Sequence, residues 1–416
     1  MRPVFRPGFE PLEDRCTPSF GTGGVVAANP PNHDGAYAVA IQADGKLVTA
    51  GAGAVARFNP DGSPDPTFNV TGSRTLAGFA LDLVVQADGK ILVAGMGGPV
   101  SNKDFYLERL LSDGTPDPTF SGDGVVLTGF KKGGGAHDEV RDIALQPDGK
   151  IVAVGMINGR GQWGVARFHS NGSLDTSFTG DGWLTDAFDK QIRDEWANAV
   201  AVQPDGKIVV GGSAYRAATH MDWVVVRYTA SGALDSTFGT GGKAWVDFGP
   251  EAGVAWTPET RYGDLALAPD GRIVLAGESS GDRLGIARLT AAGALDPTFA
   301  EDGRLLTVPT GWTFVAPNDD YNVAIQPDGR VVVTANQGEG YDTAVGRLNA
   351  DGTADASFDG DGWTTFRFDP NGDSTINDVL LQPDGKIVVA GRVWIDGQSL
   401  LALARLNPDG TFDDAA

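Results

Sequence analysis

The chain has almost none of the residues on which disulfide-stapled domains and imidazole or thiol chemistry depend. One cysteine, Cys16, stands in 416 residues, which excludes an intrachain disulfide framework. Four histidines leave little for acid–base work beyond His33, His137 and His220. No apolar run approaches the roughly 18 residues that cross a bilayer as a helix. The N-terminus carries Arg2 and Arg6 but no apolar h-region, so no standard secretory signal is present. Positive charge is scarce as well. Against 54 acidic residues there are 32 basic ones, a formal charge of −22. That balance disfavours nucleic acid and anionic membranes as partners. It is compatible with cation binding, and equally with a plain acidic surface. Paired cysteines and His-Glu-x-x-His are missing, and no catalytic nucleophile stands out.

Glycine and tight turns are abundant. The chain has 59 glycines and 24 prolines, as expected of many short strands. One turn recurs seven times: Gln42–Lys46, Gln86–Lys90, Gln146–Lys150, Gln203–Lys207, Ala268–Arg272, Gln326–Arg330 and Gln382–Lys386. In Gln146-Pro-Asp-Gly-Lys150, Pro pre-sets the first turn residue, Asp bonds back to local backbone and Gly takes the positive φ that closes a hairpin. Four strand signals recur around each turn. They are an alternating strand (Gly124–Thr128), a small-residue strand ending at the Gln (Val200–Val202), a nearly all-apolar strand (Ile208–Gly211) and a strand ending in Arg. Four strands repeated seven times predict an all-β, seven-bladed propeller of antiparallel blades. The small second strand suits the crowded inner wall.

Loop lengths divide the propeller into two faces. Each Arg (Arg57, Arg109, Arg167, Arg227, Arg288, Arg347, Arg405) precedes by eight residues an Asp (Asp65, Asp117, Asp175, Asp235, Asp296, Asp355, Asp413). Six of these Asp open an Asp-x-[Thr/Ser]-Phe turn. The other two connections of each unit vary in length. Alternate connections of an up-and-down blade share an end, so one face is fixed and the other variable, and the variable face is the default functional surface. Cys16-Thr-Pro-Ser-Phe20 fits the turn and Gly23–Val26 fits a first strand. The N-terminal strand is therefore expected to complete the last blade, leaving no open edge; self-contained blades are the alternative. Residues 17–416 form the propeller, and residues 1–16, rich in Pro and charge, are expected to be a disordered leader.

The pattern Ile-Ala-Leu-Gln-Pro-Asp-Gly-Lys … Ala-Arg-Leu-Asn-Pro-Asp-Gly … Asp-Pro-Thr-Phe resembles the delta-60 repeat, a bacterial β-propeller repeat, across about residues 17–414. The resemblance implies a propeller in an extracellular setting and carries no catalytic residues. Leu12-Glu-Asp-Arg15 resembles the leader of planctomycete surface and secreted proteins, which implies export.

Five candidate chemistries remain. The Arg–Asp spacing, present in every unit, reads as scaffold. His33, Asp34, His137, Asp138, Asp194, Glu259, Asp319 and Asp373 fall where second strands begin. If these strands are innermost, the residues ring the channel mouth and could hold a divalent cation, or they simply meet water. Asp82, Asp142, Asp264, Asn322 and Asp378 sit four before the Gln position, either lining the channel or bonding the next blade. Trp163, Trp196, Trp223, Trp256, Trp312 and Trp394, with Tyr106, Tyr215, Tyr262, Tyr321 and Tyr341, lie in or beside variable loops. They could bind sugar or peptide or pack the loops. The Asp-Gly-Asp-Gly stretch at Asp359–Gly362 lacks the ligand spacing of a calcium loop and reads as a turn.

The expected role is an exported or cell-surface binding scaffold for carbohydrate or protein, monomeric, without nucleic acid or membrane span. The alternatives are a metal-assisted lyase or hydrolase at the channel mouth, and a purely structural surface module.

Overall fold

The computed structural model describes residues 20–414 apart from 32, 101, 131–136, 158–161, 187, 189–194, 217–219, 250–261, 280–282, 314, 316–320 and 338–341. The leader lies outside these. Seven four-stranded antiparallel sheets are formed, each running from an inner to an outer strand. The third blade is typical: Glu139–Leu145 is innermost, followed by Ile151–Ile157, Gln162–Phe168 and the outer Trp183–Asp186. Its second strand is buried along nearly its whole length because neighbouring blades cover both faces. Blade one has the shortest outer strand, Ser73–Thr75, where the sequence is polar.

The inner strands bulge. In five blades one extra residue interrupts the ladder to the second strand: Leu81, Arg141, Asn198, Gly263 and Asn377. The bulge swings an inner-strand carbonyl onto the facing residue of the second strand. A Cβ on Gly155 would lie 2.0 Å from Glu139 O, and one on Gly391 1.9 Å from Thr375 O. The glycine at the fifth position of these second strands (Gly95, Gly155, Gly212 and Gly391) is therefore a packing requirement of the bulge. Blade six has Ala335 at this position, and among the described residues its inner strand pairs over only Val323–Ile325, without a register shift.

The fixed face is one network repeated seven times. Arg167 Nε donates to Asp175 Oδ2 at 2.8 Å, and its Nη2 to Ser177 Oγ at 3.1 Å. The guanidinium lies over Phe178, 4.9 Å from the ring centroid. Nη1 donates to Ala230 O in the next blade. The same reach links Arg57 to Ser112, Arg109 to Ser170, Arg227 to Ala291, Arg288 to Ala350, Arg347 to Pro408 and Arg405 to Pro60. The Lys or Arg of the Asp-Gly turn approaches the same carboxylate, as Lys46 does Asp65 at 2.9 Å. Each element of the repeat thus has a partner in the blade-to-blade lock.

The ring closes as the chain ends predict. Val25–Ala28 pairs antiparallel with Gln398–Leu406 as the outer strand of blade seven. The lock at this joint is split between the ends: Asp413 takes Arg405 Nε at 2.6 Å, while Phe20 supplies the ring under the guanidinium at 4.6 Å.

Candidate functional sites on the channel and the variable face

The bulges aim their extra residue down the central axis, and the next residue turns toward the neighbouring blade. Together these positions line a cavity of about 190 Å³ on the propeller axis, with Tyr37 and Tyr321 in its wall. The aspartates do both things the sequence allowed. Asp82 Oδ1 accepts from Leu83 N–H at 2.7 Å in its own strand, and Oδ2 from Ile143 N–H at 2.9 Å in the next blade. Asp142 reaches Val200 N–H, Asp264 reaches Val323 N–H and Asp378 reaches Val39 N–H, the last at 2.7 Å across the ring closure. In blade six Asn322 bonds Thr334 of its own blade instead. Asn336 takes over the joint there, donating to Ile376 O at 2.9 Å and accepting from Ile376 N–H at 2.8 Å. Burial raises these acids: Asp82 to about 6, Asp264 to about 7, and Asp142 and Asp378 well above the usual range. The side chains keep some accessible surface along the cavity, and the shifts come from protein enclosing them on every other side.

The acids and histidines expected at the channel mouth are dispersed. Asp194, Glu259 and Asp319 lie outside the described residues. Asp34, His137 and Asp373 are exposed. Asp138 is buried and accepts from Phe130 N–H at 3.0 Å. Glu195, the same position in blade four, accepts from Phe188 N–H at 3.0 Å, and in blade seven Ser374 Oγ bonds Phe368 N–H at 3.0 Å. This position therefore clamps the variable loop that enters the blade. Among the described residues no three His, Cys, Asp or Glu stand close enough to share an ion.

His33 is buried, and its Nδ1 bonds Gly35 O at 2.7 Å. Burial holds its pKa down at about 4. The unfolded chain, with an ordinary pKa near 6.5, binds that proton first. Stability is therefore fully present above the unfolded value and falls as pH drops from about 6.5 to about 4. The loss attributable to this group is about 3 kcal/mol. His33→Asn keeps a donor for Gly35 O without titrating. Urea melts at pH 7 and 4.5 are expected to show a clearly smaller acid loss in the variant than in the parent chain.

The aromatics separate into two groups. Trp163 and Trp223 are fully buried, which corrects their placement in a ligand-binding loop surface. Trp163 packs on Phe188 at 5.2 Å between ring centroids, and Trp223 on Phe248 at 4.8 Å. Both sit four residues before the Arg, where other repeats have Phe105, Leu284 and Leu401. Aligning the repeats at the Arg exposes this signal. Tyr106 and Tyr321 are buried too. Trp256 and Tyr341 lie outside the described residues, as do the side chains of Tyr215 and Tyr262. Trp196 is half-buried with Arg141 stacked over it at 5.3 Å, and Trp312 is half-buried against the core. Trp394 is 48% exposed. It rides on a long hairpin, Ile387–Ile395 with Gln398–Leu406, closed by Asp396 and Gly397, both at positive φ.

Comparison with known proteins agrees with the repeat. No curated protein matches the chain. Solved structures similar to it include "YCF48 bound to D1 peptide", at 13% identity and TM-score 0.48, covering 93% of this chain and 98% of that one. A glucose dehydrogenase is similar at 11% identity and TM-score 0.41, over 91% and 98%. Sqt1 from Chaetomium thermophilum is similar at 16% identity and TM-score 0.45, over 88% and 82%. The family model described as "Domain of unknown function (DUF5122) beta-propeller" matches residues 42–68, 86–120, 146–178, 203–238, 268–299, 326–358 and 382–415, each segment running from one Asp-Gly turn to its blade's lock. The chain belongs to this β-propeller family.

Proposed function

We propose that the chain is an exported or cell-surface scaffold that binds a carbohydrate or protein through its variable face. The observation that carries this reading is the contrast between the two faces. On the fixed face the Arg, Asp and turn residues are consumed in blade-to-blade locks. The opposite face carries connections ranging from the two residues between Leu47–Gly51 and Ala54–Phe58 to the segment between Lys243–Val246 and Tyr262–Leu267. It also presents Trp394, whose side chain is free to stack on a sugar or an aromatic peptide side chain. A rigid ring presenting unlike loops is how a single scaffold acquires a specific ligand.

A glycan array probed with the full chain tests this, followed by titration of the best hit against Trp394→Ala. Trp394→Ala is expected to weaken binding at least tenfold, as loss of an aromatic anchor does, with its melting temperature unchanged. An array without hits, together with surface-protein partners that bind parent and variant equally, would count against the loop-face reading.

A further inference from the structure

The Trp394 hairpin carries charge as well as an aromatic ring. Asp373 on the inner strand lies directly opposite Trp394 in the antiparallel ladder, and residues so paired share one face of the sheet. Arg392, opposite Thr375, is two residues back from Trp394 and so faces the same way. That face looks onto blade one, because a Cβ on Gly35 would lie 2.6 Å from Arg392 Cβ. Asp34 precedes Gly35 in the loop entering blade one, and Asp396 follows Trp394 by two residues at the hairpin turn. Asp34, Asp373 and Asp396 are all exposed, as is Trp394.

These carboxylates differ from those of the fixed face. There Asp148 pairs with Lys150, and Asp302 with Arg304 at 2.7 Å. Among the described residues Asp34, Asp373 and Asp396 make no ion pair, and the stem of Arg392 is packed against Gly35. One guanidinium beside three carboxylates leaves the patch negative, on a chain whose formal charge is already −22. A negative field around an exposed indole draws cations to it. The cation is not a metal ion, since no three His, Cys, Asp or Glu among the described residues stand close enough to share one. Carboxylates spread along a surface suit separate positive charges on an extended chain.

We infer, resting on the loop-face reading, that the hairpin of blade seven docks an arginine-bearing peptide segment of a partner protein. One arginine side chain stacks on Trp394 and pairs with Asp373, while Asp34 and Asp396 attract positive charge on either side of it. Arginine fits because its planar guanidinium stacks on an indole and at the same time offers a fork of N–H donors to a carboxylate. Lysine brings the charge without the plane. An uncharged sugar can stack on Trp394 but gains nothing from the field of the surrounding acids.

The test is fluorescence anisotropy with the full chain and labelled peptides Gly-X-Gly-X-Gly-X-Gly, where X is arginine or its uncharged isostere citrulline. At low salt the arginine peptide is expected to bind about tenfold more tightly than the citrulline peptide, and the gap is expected to shrink as salt rises. Trp394→Ala is expected to weaken the arginine peptide about tenfold. Asp373→Asn and Asp34→Asn are each expected to weaken it about threefold, and the double variant about tenfold, as independent contributions add. Asp181→Asn removes the same charge from an exposed turn of the fixed face and is expected to leave binding unchanged. Equal weakening by Asp181→Asn and Asp373→Asn would mean unspecific attraction to an acidic surface and would overturn the inference. So would equal binding of the two peptides, or binding of neither. The loop-face reading fails separately. It survives each of those results if a glycan or a neutral peptide binds the full chain and loses its affinity with Trp394→Ala, and it falls if no ligand depends on Trp394.

Discussion

Replacing Arg167 by Ala is expected to destabilise the propeller by about 3–5 kcal/mol, the cost of breaking a buried ion pair by removing one partner. The pair is shielded, with side-chain exposures of 6% for Arg167 and 2% for Asp175. Burial on its own would raise the pKa of Asp175. Hydrogen bonds from Ser177 and the charge of Arg167 outweigh that and hold it below the ordinary value. Removing the guanidinium leaves a buried carboxylate with Ser177, His169 at 3.5 Å and a distant Lys150 at 4.0 Å, strips Phe178 of its stacked cation, and unties Ala230 O of the next blade. Lys150→Ala is the contrast, since its partly exposed ammonium is expected to contribute under about 1 kcal/mol. Denaturant melts of both variants measure the difference. The pH dependence has a defined sign. Because the folded pKa of Asp175 is depressed, the lock's contribution is present above the ordinary carboxylate pKa and is lost as pH falls through the folded value. The Arg167→Ala deficit should therefore shrink in strong acid. A loss below about 1 kcal/mol at pH 7 would mean that the Arg–Asp spacing is incidental to stability.

How much of this was legible beforehand depends on whether the physics was local. The Asp-Gly turns are local: Gly149 at φ 82° and the Asp148 Oδ1 bond to Lys150 N–H follow from four consecutive residues. The Arg-to-Asp spacing is nearly local, and its repetition in seven units marked it as scaffold. The contact from Arg167 to Ala230, one blade away, needed the ring to exist first. The position four before the Gln was recognised, and both alternatives for it are realised, because one carboxylate can face the channel and bond the neighbouring blade at once.

The failures share a cause. Nearness to variable segments in sequence places Trp163 and Trp223 on the loop surface, yet strand phase decides burial. A residue beside a loop in sequence points into the inter-blade core if its parity places it there. The acids before the inner strands were grouped by chemistry, while in Asp138 and Glu195 each carboxylate serves the loop of its own blade. Bulges were invisible for a further reason. Their signature is the facing glycine of the second strand, which reads as ordinary strand punctuation until a Cβ on it is found to strike the Glu139 carbonyl at 2.0 Å.

A chain lacking residues 1–28 is expected to lose the closed ring rather than a single strand's worth of contacts. Val25–Ala28 covers the outer edge of Gln398–Leu406, and Gly24 O receives the N–H of Arg405. Phe20, fully buried, is the ring beneath Arg405, and its own N–H bonds Asp413 O at 3.1 Å. Truncation therefore removes a strand, a core side chain and half of one lock together. It also bares the edge of a long strand whose residues 401–406 are all buried, and an unpaired apolar edge recruits other chains. The expected result is concentration-dependent association in light scattering and a lower, broader melt. Phe20→Ala separates the two effects, because it keeps the closing strand and removes only the side chain. It is expected to cost about 3–5 kcal/mol while the protein's oligomeric state stays unchanged. If the truncated chain melts as cooperatively as the full chain and shows no association, then blade seven is self-sufficient with three strands, and the closing strand cannot be what holds the ring.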